Sequence, residues 1–147
     1  MTEGKLSASF KGTPQQEFFE TTKVQFLGSK EDRDFLLQGE DDEGRSIVFY
    51  FPDARILAGS YSLAPEGDIS AYYVVRGSLT WETLEGSLEI MPDMVKEEVR
   101  IGFRFSAKEG GSETSMIMVT GKGDFSGRMP WTLKARNLLK DCRKTKA

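Results

Sequence analysis

Glu82, Glu85 and Glu89 place three carboxylates close together in the chain, and a pair of carboxylates is the minimum equipment for acid–base work of the glycosidase kind. That chemistry needs one carboxyl desolvated enough to keep its proton. Nothing around these glutamates does so, because alternate residues of a strand face solvent. A second candidate is "GKGDFSG", Gly121 to Gly127, whose three glycines suggest a backbone cradle for phosphate. A dinucleotide fingerprint is G-x-G-x-x-G opening a helix, and a phosphate loop is G-x-x-x-x-G-K-[ST]. Here the spacing is G-x-G-x-x-x-G, strand-like alternation resumes at Asp124, and that carboxylate would repel a phosphate. Glycine inside a strand more often marks a bulge or a close backbone approach. The acidic clusters "KEDRD" (Lys30 to Asp34) and "GEDDEG" (Gly39 to Gly44) lack the twelve-residue ligand spacing of a calcium loop. They read as solvated hairpin tips.

The 147-residue chain contains no histidine and one cysteine, Cys142. Without an imidazole there is no Ser-His-Asp or Cys-His nucleophile system, and no usual zinc, copper or haem ligand set. The expectation is therefore a protein that is not an enzyme, with no cofactor and no metal. A lone cysteine forms no internal disulfide. The longest apolar runs, such as "IVFYF" (Ile47 to Phe51), fall far short of the roughly 20 residues that span a bilayer. The first ten residues have neither a basic nor an apolar region of a secretory signal, so a cytoplasmic location is expected.

Two groups remain as binding candidates. Tyr61, Tyr73, Trp81, Phe103 and Phe105 fall on consecutive expected strands, where large rings either fill a core or line a cavity for a small apolar ligand. The second group is cationic. From Arg128 onward there are seven Lys/Arg against one acidic residue, a net charge of +6 that leaves −9 for the rest of a chain whose total is −3. Arg136, Lys140 and Arg143 in this tail are candidates for partner contact, unless the tail docks on its own acidic body. Arg100 and Arg104 share the outer face of one strand, with Arg76 as a third candidate; the acidic body argues against nucleic acid, and a solvated face is the simpler account.

The elements that would position these groups are mostly strands. Short runs of period-two alternation recur between turn residues, as in antiparallel sheet. "KLSASF" sets Leu6, Ala8 and Phe10 against polar neighbours, and "EVRIGFRFSA" sets Val99, Ile101, Phe103 and Phe105 against Arg100, Gly102, Arg104 and Ser106. "SLTWET" and "GSLEIM" read as two strands around a short link at Leu84–Glu85. Two segments differ. "TPQQEFFETT" (Thr13 to Thr22) reads as a helical turn or a loop, with Thr13 as cap, Pro14 at the first position and Phe18 and Phe19 plugging the sheet. "MPWTLKARNLLKDCRK" reads as a helix begun by Pro130, with Trp131, Ala135, Leu138 and Cys142 on one stripe beside Leu139. The last residues, "RKTKA", are expected to be loose.

The strands "AGSYSL", "AYY", "GSLEI", "RIGFRFSA" and "MVTGKGDFSG", spanning about Gly59 to Ser126, resemble an uncharacterised family of small bacterial all-β proteins. Its pattern matches Gly59–Leu63, Gly86–Ile90, Ile101–Phe105 and Val119–Ser126. The resemblance implies an all-β sandwich of bacterial type. It carries over no activity and no catalytic residues. Many relatives are exported as lipoproteins, whereas the first residues here lead us to expect no leader.

The sequence thus predicts a mainly β protein: an antiparallel β-sandwich or flattened barrel of about eight to ten strands with a short C-terminal helix. Residues 1–127 form the β domain, and residues 128–147 form a basic amphipathic helix and tail of the same domain. The expected function is a non-enzymatic binding or protein-interaction module, meeting a protein partner or a second copy as a homodimer. A lipocalin-like carrier of a small apolar ligand is the alternative.

Overall fold

The computed structural model describes residues 1–12, 17–28, 33–64, 69–75, 81–109 and 116–144. Ten strands and one helix follow in chain order: β1 (Glu3–Lys11), β2 (Glu17–Thr21), β3 (Val24–Leu27), β4 (Phe35–Glu40), β5 (Arg45–Phe51), β6 (Gly59–Leu63), β7 (Ser70–Val75), β8 (Trp81–Asp93), β9 (Glu98–Glu109), β10 (Met116–Ser126) and α1 (Leu133–Lys144). All strand pairs are antiparallel. Backbone pairing runs unbroken along β2-β1-β10-β9-β8-β7-β5-β4-β3, with β6 beside β8. The ladder bends into two sheets because β8 pairs with β7 only at Trp81 and Glu82, then swings away to pair with β6. The result is a sandwich of a six-stranded sheet (β6-β8-β9-β10-β1-β2) and a four-stranded sheet (β7-β5-β4-β3), with no closed barrel.

Alternation explains why these segments pair as they do. Leu6, Ala8 and Phe10 of β1, and Val99, Ile101, Phe103 and Phe105 of β9, point inward and are buried. They meet Phe35, Leu37, Ile47, Phe49 and Phe51 of the opposite sheet in one core. Phe49 touches both Phe103 and Phe105, with centroids 4.8 and 6.3 Å away. Threonines hold the places where the chain changes sheets. Thr21 Oγ1 donates to the Glu40 carbonyl at 2.6 Å between β2 and β4, and Thr83 Oγ1 donates to the Ala71 carbonyl at 2.6 Å between β8 and β7. At the opposite end of β1, Thr2 Oγ1 donates to the Gly127 carbonyl and accepts from the Phe26 amide.

Four expectations need correction. Residues 17–21 are strand β2, paired with β1, rather than part of a helical turn; Phe19 is buried while Phe18 faces out, so strand period wins over the capping pattern. Thr13 to Gln16 lie outside the described residues. The two strands expected around Leu84–Glu85 are one, β8, in which a bulge between Thr83 and Glu85 takes up the extra residue. Finally, α1 begins at Leu133 rather than at Pro130, and Thr132 caps it, its Oγ1 accepting from the Ala135 amide at 3.1 Å. The helix runs through Lys144, so Arg143 and Lys144 are not part of a loose tail.

Candidate functional site

The five aromatic candidates come together at the core. Tyr73, Phe103 and Phe105 are buried, and Tyr61 and Trp81 pack half-buried against the same cluster. Tyr73 lies 4.8 Å from the Phe10 ring and 6.3 Å from the Trp81 ring, and Phe103 lies 6.1 Å from Phe105. Tyr61 donates its hydroxyl to the Leu57 carbonyl at 2.7 Å. These spacings are those of rings packed on one another.

The helix docks at home, on the outer face of the four-stranded sheet. Ala135, Leu139 and Cys142, spaced i, i+4, i+7, bury themselves against Leu27, Leu36, Val48, Tyr50 and Tyr72. This second apolar layer explains why β4 and β5 are buried on both faces instead of alternating. Arg136 takes part in the docking. Its Nη1 donates to Asp34 Oδ2 at 3.1 Å, the Tyr50 hydroxyl donates to the same oxygen at 2.8 Å, and its guanidinium lies 3.8 Å over the Trp131 ring. Of the cationic candidates, Lys140 is exposed, and the side chain of Arg143 lies outside the described part. Burial, reinforced by Asp141, pushes the Cys142 thiol up to about 12. A thiol so protonated is an inert core residue rather than a nucleophile.

The glycine stretch is the body of β10. Gly121 and Gly123 sit opposite Ala8 and Leu6. A Cβ on Gly121 would fall 2.1 Å from the Ser7 carbonyl oxygen, so close approach of β1 requires glycine there. Phe125 is buried in the core, and Gly127 turns the chain away at φ 91°. Glu85 and Glu89 lie exposed on the outer face of β8, well solvated. Arg100 and Arg104 lie exposed on β9, with Arg100 3.4 Å from Asp124; Arg76 lies outside the described residues. Among the described residues no group of three or more His, Cys, Asp or Glu could hold a metal ion, and no helix is long and apolar enough to cross a membrane.

A second organised charge lies at the β4–β5 hairpin. Arg45 Nε donates to Asp41 Oδ2 at 2.8 Å, both side chains are nearly buried, and the guanidinium lies over the rings of Phe19 and Phe10 at 5.7 and 6.0 Å. Burial disfavours its charge, but the Asp41 carboxylate and Tyr73 outweigh that and hold the guanidinium above its ordinary value. It seals that end of the sandwich.

The opposite end is held by an ion pair between Arg128, 11% exposed, and Glu97 at 3.7 Å and by the Thr2 hydroxyl bonds. Here the β8–β9 turn, the ends of β1 and β10, the loop after β5 and the approach to α1 meet. Gly127 N donates to the Glu97 carbonyl, Met129 N to Phe26, Gly28 N to Met129, and Ala54 N to Arg33. Of eight large apolar side chains exposed among the described residues, six, between 39% and 98% exposed, belong to segments that start or end here: Met1 before β1, Leu57 before β6, Met91 near the end of β8, Val95 in the β8–β9 turn, and Met129 and Leu133 at the approach to and start of α1. Sequence reading missed this group. The available signal was Leu57, Met91 and Val95 in or beside turns, where polar residues are the norm.

Searches against protein families, curated proteins and solved structures find no match to this chain.

Proposed function

We propose that this chain is a non-enzymatic interaction module that meets a protein partner at the end of the sandwich rimmed by Leu57, Met91, Val95 and Leu133. The observation that carries the reading is the concentration of exposed apolar side chains at that end. Single exposed apolar residues are ordinary, whereas grouped ones mark contact surfaces. Met1, Met91 and Met129 belong to the group, and methionine suits a surface that must adapt to what it binds. The charges around them are balanced. Arg128 lies 3.7 Å from Glu97 and Arg55 lies 3.4 Å from Asp53. A balanced rim fits a protein surface better than an anionic membrane. The ring-on-ring packing of Tyr73, Trp81, Phe103 and Phe105 supports a filled interior, which weighs for a module over a carrier.

Two measurements test this. A photo-cross-linking residue placed at Val95 in producing cells is expected to give discrete protein adducts, while the same residue at exposed Lys122 gives none. Equal labelling at both positions, or none at either, would overturn the reading. Native mass spectrometry of the purified chain is expected to show the 16.5 kDa polypeptide or its multiples. A bound small apolar mass would instead favour the carrier.

A further inference from the structure

The apolar end borders a sheet edge that is guarded less than the others. Among the described residues, three strands have a strand neighbour on one side only: β2 beside β1, β3 beside β4, and β6 beside β8. An open edge is a template for another strand unless charge, proline, a bulge or a covering segment blocks it. The free side of β3 is covered by the backbone at Met129, which donates to the Phe26 carbonyl at 2.9 Å and accepts from Gly28 N at 2.7 Å. On β2, Glu20 stands outward in an ion pair with Lys5. The segment β6, "GSYSL", has no charge, no proline and no register shift against β8. Among the described residues, its last residue, Leu63, alone bridges onward, to Ile69.

We propose that β6 pairs antiparallel with β6 of a second copy of this chain, joining two six-stranded sheets across a two-fold axis. The proposal rests on the interaction-module reading and names its partner. In such a pairing every residue faces one of the same strand, so any charge near the centre meets its own image. That would penalise a strand such as β2, whereas β6 carries no charge to repel itself. Its faces also match themselves: Ser60 and Ser62 are exposed outward, while Tyr61 and Leu63 turn toward the core. Hydroxyls therefore stand beside hydroxyls and apolar groups beside apolar groups. Glu89, the outward neighbour of Ser60 on β8, disfavours an acidic peptide in the same place. Leu57, 76% exposed and two residues ahead of β6, is set beside the far end of the partner strand, with Met91 on the same border. Covering them adds hydrophobic burial to main-chain hydrogen bonds that otherwise only replace bonds to water.

Sedimentation of the full chain from micromolar to submillimolar concentration tests this. The expected result is a concentration-dependent monomer–dimer equilibrium. The variant S60K/S62K, at two solvent-facing positions, is expected to raise the dissociation constant about tenfold or more with an unchanged circular dichroism spectrum. The control S9K/S126K, on exposed positions remote from β6, is expected to dimerise like the unsubstituted chain. A chain that stays monomeric throughout, or an S60K/S62K variant that dimerises as before, would overturn self-pairing. Neither outcome touches the interaction-module reading, which stands or falls on the Val95 cross-link.

Discussion

The two sheets solve the same problem differently. In the six-stranded sheet one face is dry and the other wet, and β9 and β10 alternate strictly between them. In the four-stranded sheet both faces are dry, because α1 covers the outer one with Ala135, Leu139 and Cys142. The outward positions Val48 and Tyr50 are therefore core residues, whereas the outward positions Thr120 and Arg104 are surface. The comparison teaches that strand position alone does not decide burial; the neighbouring layer does.

The sharpest way to break the comparison is to put the same charge on both outer faces. Val48→Lys would bury an ammonium under the helix, and it is expected to cost more than about 4 kcal/mol or to expel α1. Thr120→Lys should shift a urea midpoint by less than about 0.5 kcal/mol equivalent. Similar costs for the two would refute the description of the faces. Between the sheets, Phe49→Ala removes a ring that touches Phe103 and Phe105, with an expected loss of about 3–5 kcal/mol in urea unfolding. Arg45→Ala leaves the Asp41 carboxylate nearly buried without its guanidinium, and a loss of roughly 2–3 kcal/mol is expected.

The helix-covered face should also respond to alkali, and the wet face should not. Cys142 has a thiol raised from 9.0 to about 12 in the folded state, so the folded protein holds that proton when the unfolded chain has released it. Stability from this group is complete below about pH 9 and is lost as pH rises toward 12, at up to about 1.4 kcal/mol per pH unit. Unfolding midpoints should fall over that window, and C142A should flatten the fall. The smallest effect concerns the helix start: Thr132→Ala is expected to cost about 1 kcal/mol, measurable as faster alkylation of Cys142 in native buffer.

Much of the sandwich is legible in the chain because alternation is a local signal. "KLSASF" and "EVRIGFRFSA" state which side chains turn inward before any partner strand is known. The stripe of α1 is legible for the same reason. Less legible was β2, where a capping pattern of the right residue types competes with strand period, and pairing with β1 decides the outcome. The bulge in β8 was hidden because Leu84 and Glu85 are ordinary residues, and only the register with β9 shows the extra one. Among the cationic candidates, Arg136 proved to be held by Asp34 and Trp131. No local pattern links residues 102 positions apart.

By itself, the sequence determined the class of the protein. Its period-two runs demand antiparallel sheet, its lack of histidine removes imidazole chemistry, and its C-terminal stripe demands an apolar surface to lie on. Only the tertiary structure decided which surface that is, where β8 leaves β7 for β6, and which apolar side chains stay in water. The physical reason is that each of these depends on contacts between residues far apart in the chain. A side chain such as Val48 or Leu57 carries its hydrophobicity wherever it sits, but whether that is buried or offered to a partner depends on what the fold sets beside it.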